Sequence, residues 1–205
     1  MQRNFKAIRT AAANVTVGVT MLVGAMGAVV AAGPTSSFTL SGQVTNPTSY
    51  TLADLEAYPA TTETVTYVAG GSPVTATFTG VLLYSLLTTN GQSLITNPAV
   101  KNDVLREYVV ATGSDGYKAV ISLGEILPNF GGELDMIAYL QDGNPITADG
   151  FARLVVPGDK FGGRYVSNLV SLEVFNAAPV PEVGTLGLML AGVSLMGWRL
   201  RKTLR

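Results

Sequence analysis

In the last third of this 205-residue chain, Lys160 and Arg164 flank the glycine pair Gly162-Gly163. Backbone amides in such a turn, with a guanidinium that can fork onto two oxygens, suit phosphate or another anion. The same spacing also suits a solvated loop that closes a turn, with Arg164 paired to Asp159. Tyr117 begins a strand-like run, where its hydroxyl could meet a ligand or stay in water while the ring packs on a sheet. Glu133 and Asp135 are two apart. On a strand they would share a face, as calcium ligands or an acid and base pair, and a surface loop after Gly131-Gly132 is the simpler reading. Asp54 and Glu56 read as solvated charges. The chain contains no cysteine and no histidine. It therefore lacks the thiolate nucleophile, the imidazole base and the commonest side chains for holding transition metals. No glycine-rich loop of the nucleotide-binding kinds is present either.

The elements that must position these residues are mostly strands. Alternation rich in Val, Thr, Tyr and Ile marks residues 38–44, 63–68, 74–78, 107–112, 117–122, 137–141, 152–156 and 170–175. Gly113-Ser114-Asp115-Gly116 predicts a tight hairpin, and Asp142-Gly143-Asn144-Pro145 another turn. Helices are few and short. Thr51 can cap 52–57, Thr79 or Gly80 can open 81–87, and 123–126 adds one turn before Pro128. Residues 36–51 and 176–181, rich in Ser, Thr, Pro, Ala and Asn, read as flexible joints. The fold class is α+β, mainly β, with mixed sheets and few short helices.

Charge divides the chain. The net charge is −1, yet seven of the 13 basic residues lie at the ends, which leaves six bases and all 14 acids between them. Such an acidic middle argues against a nucleic-acid partner. Arg3, Lys6 and Arg9 precede an uncharged run from Thr10 to Ala32 that ends in small residues, the layout of a secretory signal peptide over 1–32. An exported domain over 33–179 follows. In the tail 180–205, the apolar run 183–198 would reach about 24 Å as a helix, short of a hydrocarbon core of about 30 Å. Arg199, Arg201, Lys202 and Arg205 follow it and favour the cytoplasmic side.

Val180-Pro181-Glu182, a Gly- and Leu-rich span and the basic cluster resemble the PEP-CTERM sorting signal of Gram-negative bacteria, although Val183 stands where a second proline is usual. The resemblance implies signal peptidase and an exosortase-type protease as partners. It also implies a membrane-anchored form before processing, and then the periplasm, outer surface or extracellular matrix.

A second resemblance covers nearly all of the domain. Its motifs are Tyr50-Thr51-Leu52-Ala53-Asp54-Leu55, Phe78-Thr79-Gly80-Val81-Leu82-Leu83, Gly113-Ser114-Asp115-Gly116-Tyr117 and Ile137-Ala138-Tyr139-Leu140. Arg153-Leu154-Val155-Val156-Pro157-Gly158 and Gly163-Arg164-Tyr165-Val166 complete the set. In this order they resemble the molybdopterin-binding oxidoreductase domain of the sulfite oxidase family. The resemblance implies a molybdenum held by a cysteine thiolate, and the corresponding stretch 65–71 has none. The resemblance also implies a basic residue, often present in catalytic relatives, where this chain has Ser167.

The expectation is a degenerate domain acting as a ligand-binding or structural module, with no cofactor required and a small-molecule or anionic ligand allowed. The alternative is a pterin-dependent oxidoreductase with non-cysteine ligation. Its pocket would converge on Tyr117, Gly158, Lys160, Gly163 and Arg164.

Overall fold

The computed structural model describes residues 33–148 and 150–177. The signal segment and the sorting tail read from the sequence lie outside these residues.

Among the described residues, ten strands form two sheets. The first contains β1 (Ser37–Gly42), β2 (Thr48–Thr51), β5 (Glu107–Gly113), β6 (Lys118–Ser122) and β10 (Leu169–Asn176), in the order β2-β1-β10-β5-β6. Its β1 and β10 run parallel and its other neighbours antiparallel, so the sheet is mixed. The second runs β3 (Thr61–Ala69), β4 (Ser72–Leu82), β7 (Met136–Gln141) and β8 (Asn144–Pro145), with β9 (Arg153–Val155) also against β7. Three short α-helices among the described residues, α1 (Leu52–Glu56), α2 (Leu83–Thr88) and α3 (Leu123–Ile126), accompany the strands in a mainly β architecture.

Alternation explains the first sheet. Phe38 and Leu40 of β1, Val109 and Ala111 of β5, and Leu172 and Val174 of β10 all point into one core with Leu55, Leu86, Leu87 and Ile126 from the helices. Within the second sheet, β7 is covered on both faces. Ile137 and Tyr139 of β7 join that core, while Met136 and Ala138 join a second cluster with Val65, Tyr67, Phe78 and Val155. A strand covered on both faces loses its polar alternation, so β7 opens with four consecutive buried residues.

Several sequence expectations need correction. Residues 36–51 are not a flexible joint, because β1 and β2 pair antiparallel across that span, with Phe38 opposite Tyr50. The Tyr50 ring stacks on Phe38 at 5.4 Å, which ties the polar stretch to the core. The helix expected over 81–87 begins at Leu83, because β4 continues through Leu82 to pair with Met136. Gly80 marks a shift of register in that pairing, and a Cβ there would lie 2.2 Å from the Ile137 carbonyl oxygen. Only a residue without a side chain allows the two strands to approach so closely. Asp135 is not a solvated loop acid, since it is 1% exposed, whereas Glu133 is exposed. The Asp135 carbonyl accepts the Leu83 N–H at 2.8 Å, which draws the residue inward at the head of β7.

Local signals hold elsewhere. Thr51 and Asp54 form a reciprocal capping box on α1, with the Thr51 N–H donating to Asp54 at 2.8 Å. The hairpin before β6 closes through the Gly113 N–H to the Tyr117 carbonyl, and Asp115 accepts the Tyr117 N–H at 2.9 Å.

Candidate functional site

The chain between β9 and β10 crosses the second sheet and builds one wall of an open cleft. Two isolated bridges fasten it, Val68 with Phe161 in parallel and Leu154 with Val166 in antiparallel. The Val68 N–H donates to the Lys160 carbonyl at 2.9 Å, and Leu154 and Val166 exchange bonds of 2.9 and 3.2 Å. A one-turn 3-10 helix, Gly162–Arg164, sits between these anchors.

The cleft has a volume of about 540 Å³. One side is the end of β3 and its turn, Tyr67, Val68, Ala69, Gly70 and Gly71, and the other is Phe161, Gly162, Gly163 and Tyr165, with Arg153 and Ser167 completing it. Tyr67 and Tyr165 have ring centroids 4.5 Å apart, and Tyr165 meets Phe78 edge-on at 6.3 Å. Gly162 lies so close to the Tyr67 ring that a Cβ would sit 2.9 Å from it. Phe161, 66% exposed, stands at the rim. The Tyr165 hydroxyl is buried with no hydrogen-bond partner among the described residues, and burial is the main reason its pKa is pushed up to about 12. A smaller adjoining hollow of about 230 Å³ shares Gly162, Gly163, Tyr165 and Ser167 and adds Asp115 and Tyr117.

The structure separates the five residues singled out from the sequence. Tyr117 and Gly163 meet at the smaller hollow, where the Tyr117 hydroxyl donates to the Gly163 carbonyl. Gly158 and Lys160 are exposed and border neither cavity, and a Cβ on Gly158 would face Glu133 at 3.3 Å. Arg164 turns away from the cleft and is held by two carboxylates. Its Nε donates to Asp159 at 2.8 Å, and Nη1 and Nη2 fork onto Glu125 at 3.1 and 2.9 Å. Nη2 also reaches Asp159 at 2.6 Å. Hydrogen bonds to Asp159 and Glu125 hold the guanidinium strongly protonated, so it is already engaged within the protein.

The cation that does border the cleft is Arg153, on β9. Its Nε donates to Ser167 at 2.9 Å and its Nη1 to Gln141 at 3.2 Å. Ser167 thus contacts an arginine from the neighbouring strand. Sequence reasoning missed Arg153, Phe161 and Tyr165 as site residues. The available signals were the isolated Arg before an apolar pair in β9 and the aromatic residues around Gly162-Gly163.

Comparison with known proteins agrees with the two-sheet fold. The family described as oxidoreductase molybdopterin binding domain matches residues 28–180. The crystal structure of the sulfane dehydrogenase SoxCD from Paracoccus pantotrophus is similar in fold, with a TM-score of 0.53 and 21% identity. The likeness covers 68% of this chain and 38% of that one, so this chain matches well under half of that protein. No curated protein matches this chain. From the motif order, the two-sheet architecture and the family match over most of its length, the chain belongs to the molybdopterin-binding oxidoreductase domain family.

Proposed function

We propose that this chain is an exported cell-envelope protein whose domain works as a ligand-binding module, without the thiolate-held metal of its family. The observation that carries the reading is the cleft itself, open and walled by aromatic rings beside a segment that has no thiol. A purely structural role would ask for no such concavity.

The family's cofactor supplies a molybdenum bound through a protein thiolate, and the donors of this chain do not fit that metal. No cysteine exists anywhere in the sequence. Thr66, the hydroxyl in the corresponding strand, lies on the exposed face in a 2.8 Å hydrogen bond with Thr75. A neutral hydroxyl is in any case a poor substitute for a soft thiolate. Among the described residues, no group of three or more acidic, His or Cys side chains is placed to hold a metal ion. The lining instead suits a small molecule with a flat apolar face and a polar or anionic edge. The face would lie against Phe161, Tyr67 and Tyr165, and the edge would meet Arg153.

A second reading, a pterin held without a metal–thiolate bond, draws support from the buried Tyr165 hydroxyl, which is left without a partner at the same cleft. Export rests on the charge and apolar patterning of 1–32. A membrane-held precursor trimmed near Pro181 or Glu182 rests on the tail.

The test is to purify the protein from its native host, denature it and identify released small molecules by mass spectrometry. Phe161→Ala should weaken retention without moving the unfolding midpoint, because this ring is mostly outside the core. Release of a pterin would favour the second reading. Absence of any retained or titratable ligand, or retention indifferent to Phe161→Ala, would contradict the proposal.

A further inference from the structure

Behind the cleft wall, two carboxylates hold one guanidinium, and two more acids, Asp135 and Glu133, lie within electrostatic reach. Arg164 engages Asp159 and Glu125 through four hydrogen bonds. A guanidinium has five N–H donors, so little of its capacity remains. Asp135 adjoins this cluster from the head of β7. It is 1% exposed, and neither of its carboxyl oxygens has a hydrogen-bond partner among the described residues. Glu133, on the same segment, donates its backbone N–H to the Glu125 carbonyl at 3.0 Å, so this segment is strapped against α3.

The charged and titratable groups facing Asp135 are therefore Glu125 from α3, Asp159 and Arg164 from the cleft-wall segment, Glu133 from its own segment, and the Tyr165 phenol. Burial first, and then the negative field of Glu125, push the Asp135 carboxyl up to about 7, with Arg164 opposing.

We propose that Asp135 is a buried proton switch controlling how firmly Arg164 holds the segment that forms one wall of the cleft. When Asp135 is protonated it needs no counter-charge, and Arg164 stays on Asp159 and Glu125 with the wall pinned. When it is ionised, a third carboxylate, itself buried and without a partner among the described residues, competes for the same guanidinium. The cluster relieves the excess negative charge as Arg164 turns toward Asp135 and releases Asp159. Asp159 lies on the segment that carries Phe161, Gly162 and Gly163, so the wall loosens as pH rises through neutrality. This inference stands on the fold and does not depend on the identity of any ligand.

Hydrogen exchange of the full chain in mild detergent, read by mass spectrometry at pH 6 and pH 8 and corrected for intrinsic rates, tests it. Protection of residues 157–166 should fall about tenfold between the two pH values in the parent protein, following the ionised fraction of one group. In Asp135→Asn it should stay at the pH 6 level throughout. Equal protection of the parent at both pH values, or an undiminished loss in Asp135→Asn, would overturn the proposal. Should Asp135→Asn fail to fold, Glu125→Gln decides. Removing a negative neighbour lowers the midpoint of the loss if Asp135 is the switch, and an unmoved midpoint would overturn it.

Discussion

Raising the pH from 5 to 7 should destabilise this protein, opposite to the usual behaviour of paired carboxylates. Asp135 rises from 3.8 to about 7 and Glu107 from 4.5 to about 7, in both cases chiefly through burial, and both are 1% exposed. Between those values the folded carboxyls stay protonated while the unfolded ones ionise. The unfolded state then binds fewer protons, and stability falls as pH rises. Asp54 and Asp103 act the other way. Hydrogen bonds from Thr51 hold Asp54 low, and the Asn97 N–H and then Arg106 hold Asp103 low. Their contributions are complete above their unfolded values and are lost only as pH falls below them, so the window from 5 to 7 belongs to Asp135 and Glu107. At about 1.4 kcal/mol per pKa unit, the two groups together lower the unfolding free energy by about 4 kcal/mol across that window. Guanidinium chloride unfolding of the full chain, followed by far-ultraviolet circular dichroism at pH 5, 6, 7 and 8, measures this. Asp135→Asn and Glu107→Gln should each remove about half of the slope. An unfolding free energy that stays level or rises from pH 5 to 7 would show that Asp135 and Glu107 are not held protonated by burial.

Two substitutions test the scaffold. Gly80→Ala places a methyl group 2.2 Å from the Ile137 carbonyl and 2.5 Å from the Ala138 Cα. Both neighbours are backbone in a buried strand, so the expected loss is about 3 kcal/mol, read from the denaturation midpoint. Thr51→Ala removes the hydroxyl that accepts the Asp54 N–H in the capping box. It should cost about 1 kcal/mol while leaving hydrogen exchange around the cleft unchanged.

Much of the framework follows from local pattern. Strands β1, β5, β6 and β10 and the α3 turn at 123–126 are close to where residue alternation and turn chemistry place them. What escaped local reading depends on distant partners. Thr48, Ser49 and Thr51 look like linker residues, and they form a strand because β1 offers its edge and Tyr50 reaches Phe38. The capacity of Arg164 to pair with Asp159, five residues away, is legible in the sequence. Its second partner, Glu125, is 39 residues away, and no local pattern announces it. Asp135 reads as exposed because glycines precede it, but its burial is set by the Leu83 amide across the sheet. The cleft follows the same rule. Val68 and Phe161 come together only through a parallel bridge, so the aromatic wall emerges from topology.

On the proposed function, this molybdopterin-family domain works without a thiolate-held metal. The most direct measurement is the molybdenum and pterin content of the protein produced in a host that makes the molybdenum cofactor and purified with its cleft intact. Molybdenum should lie far below one atom per chain, because no side chain of this sequence offers a thiolate. Stoichiometric molybdenum that survives purification would contradict it.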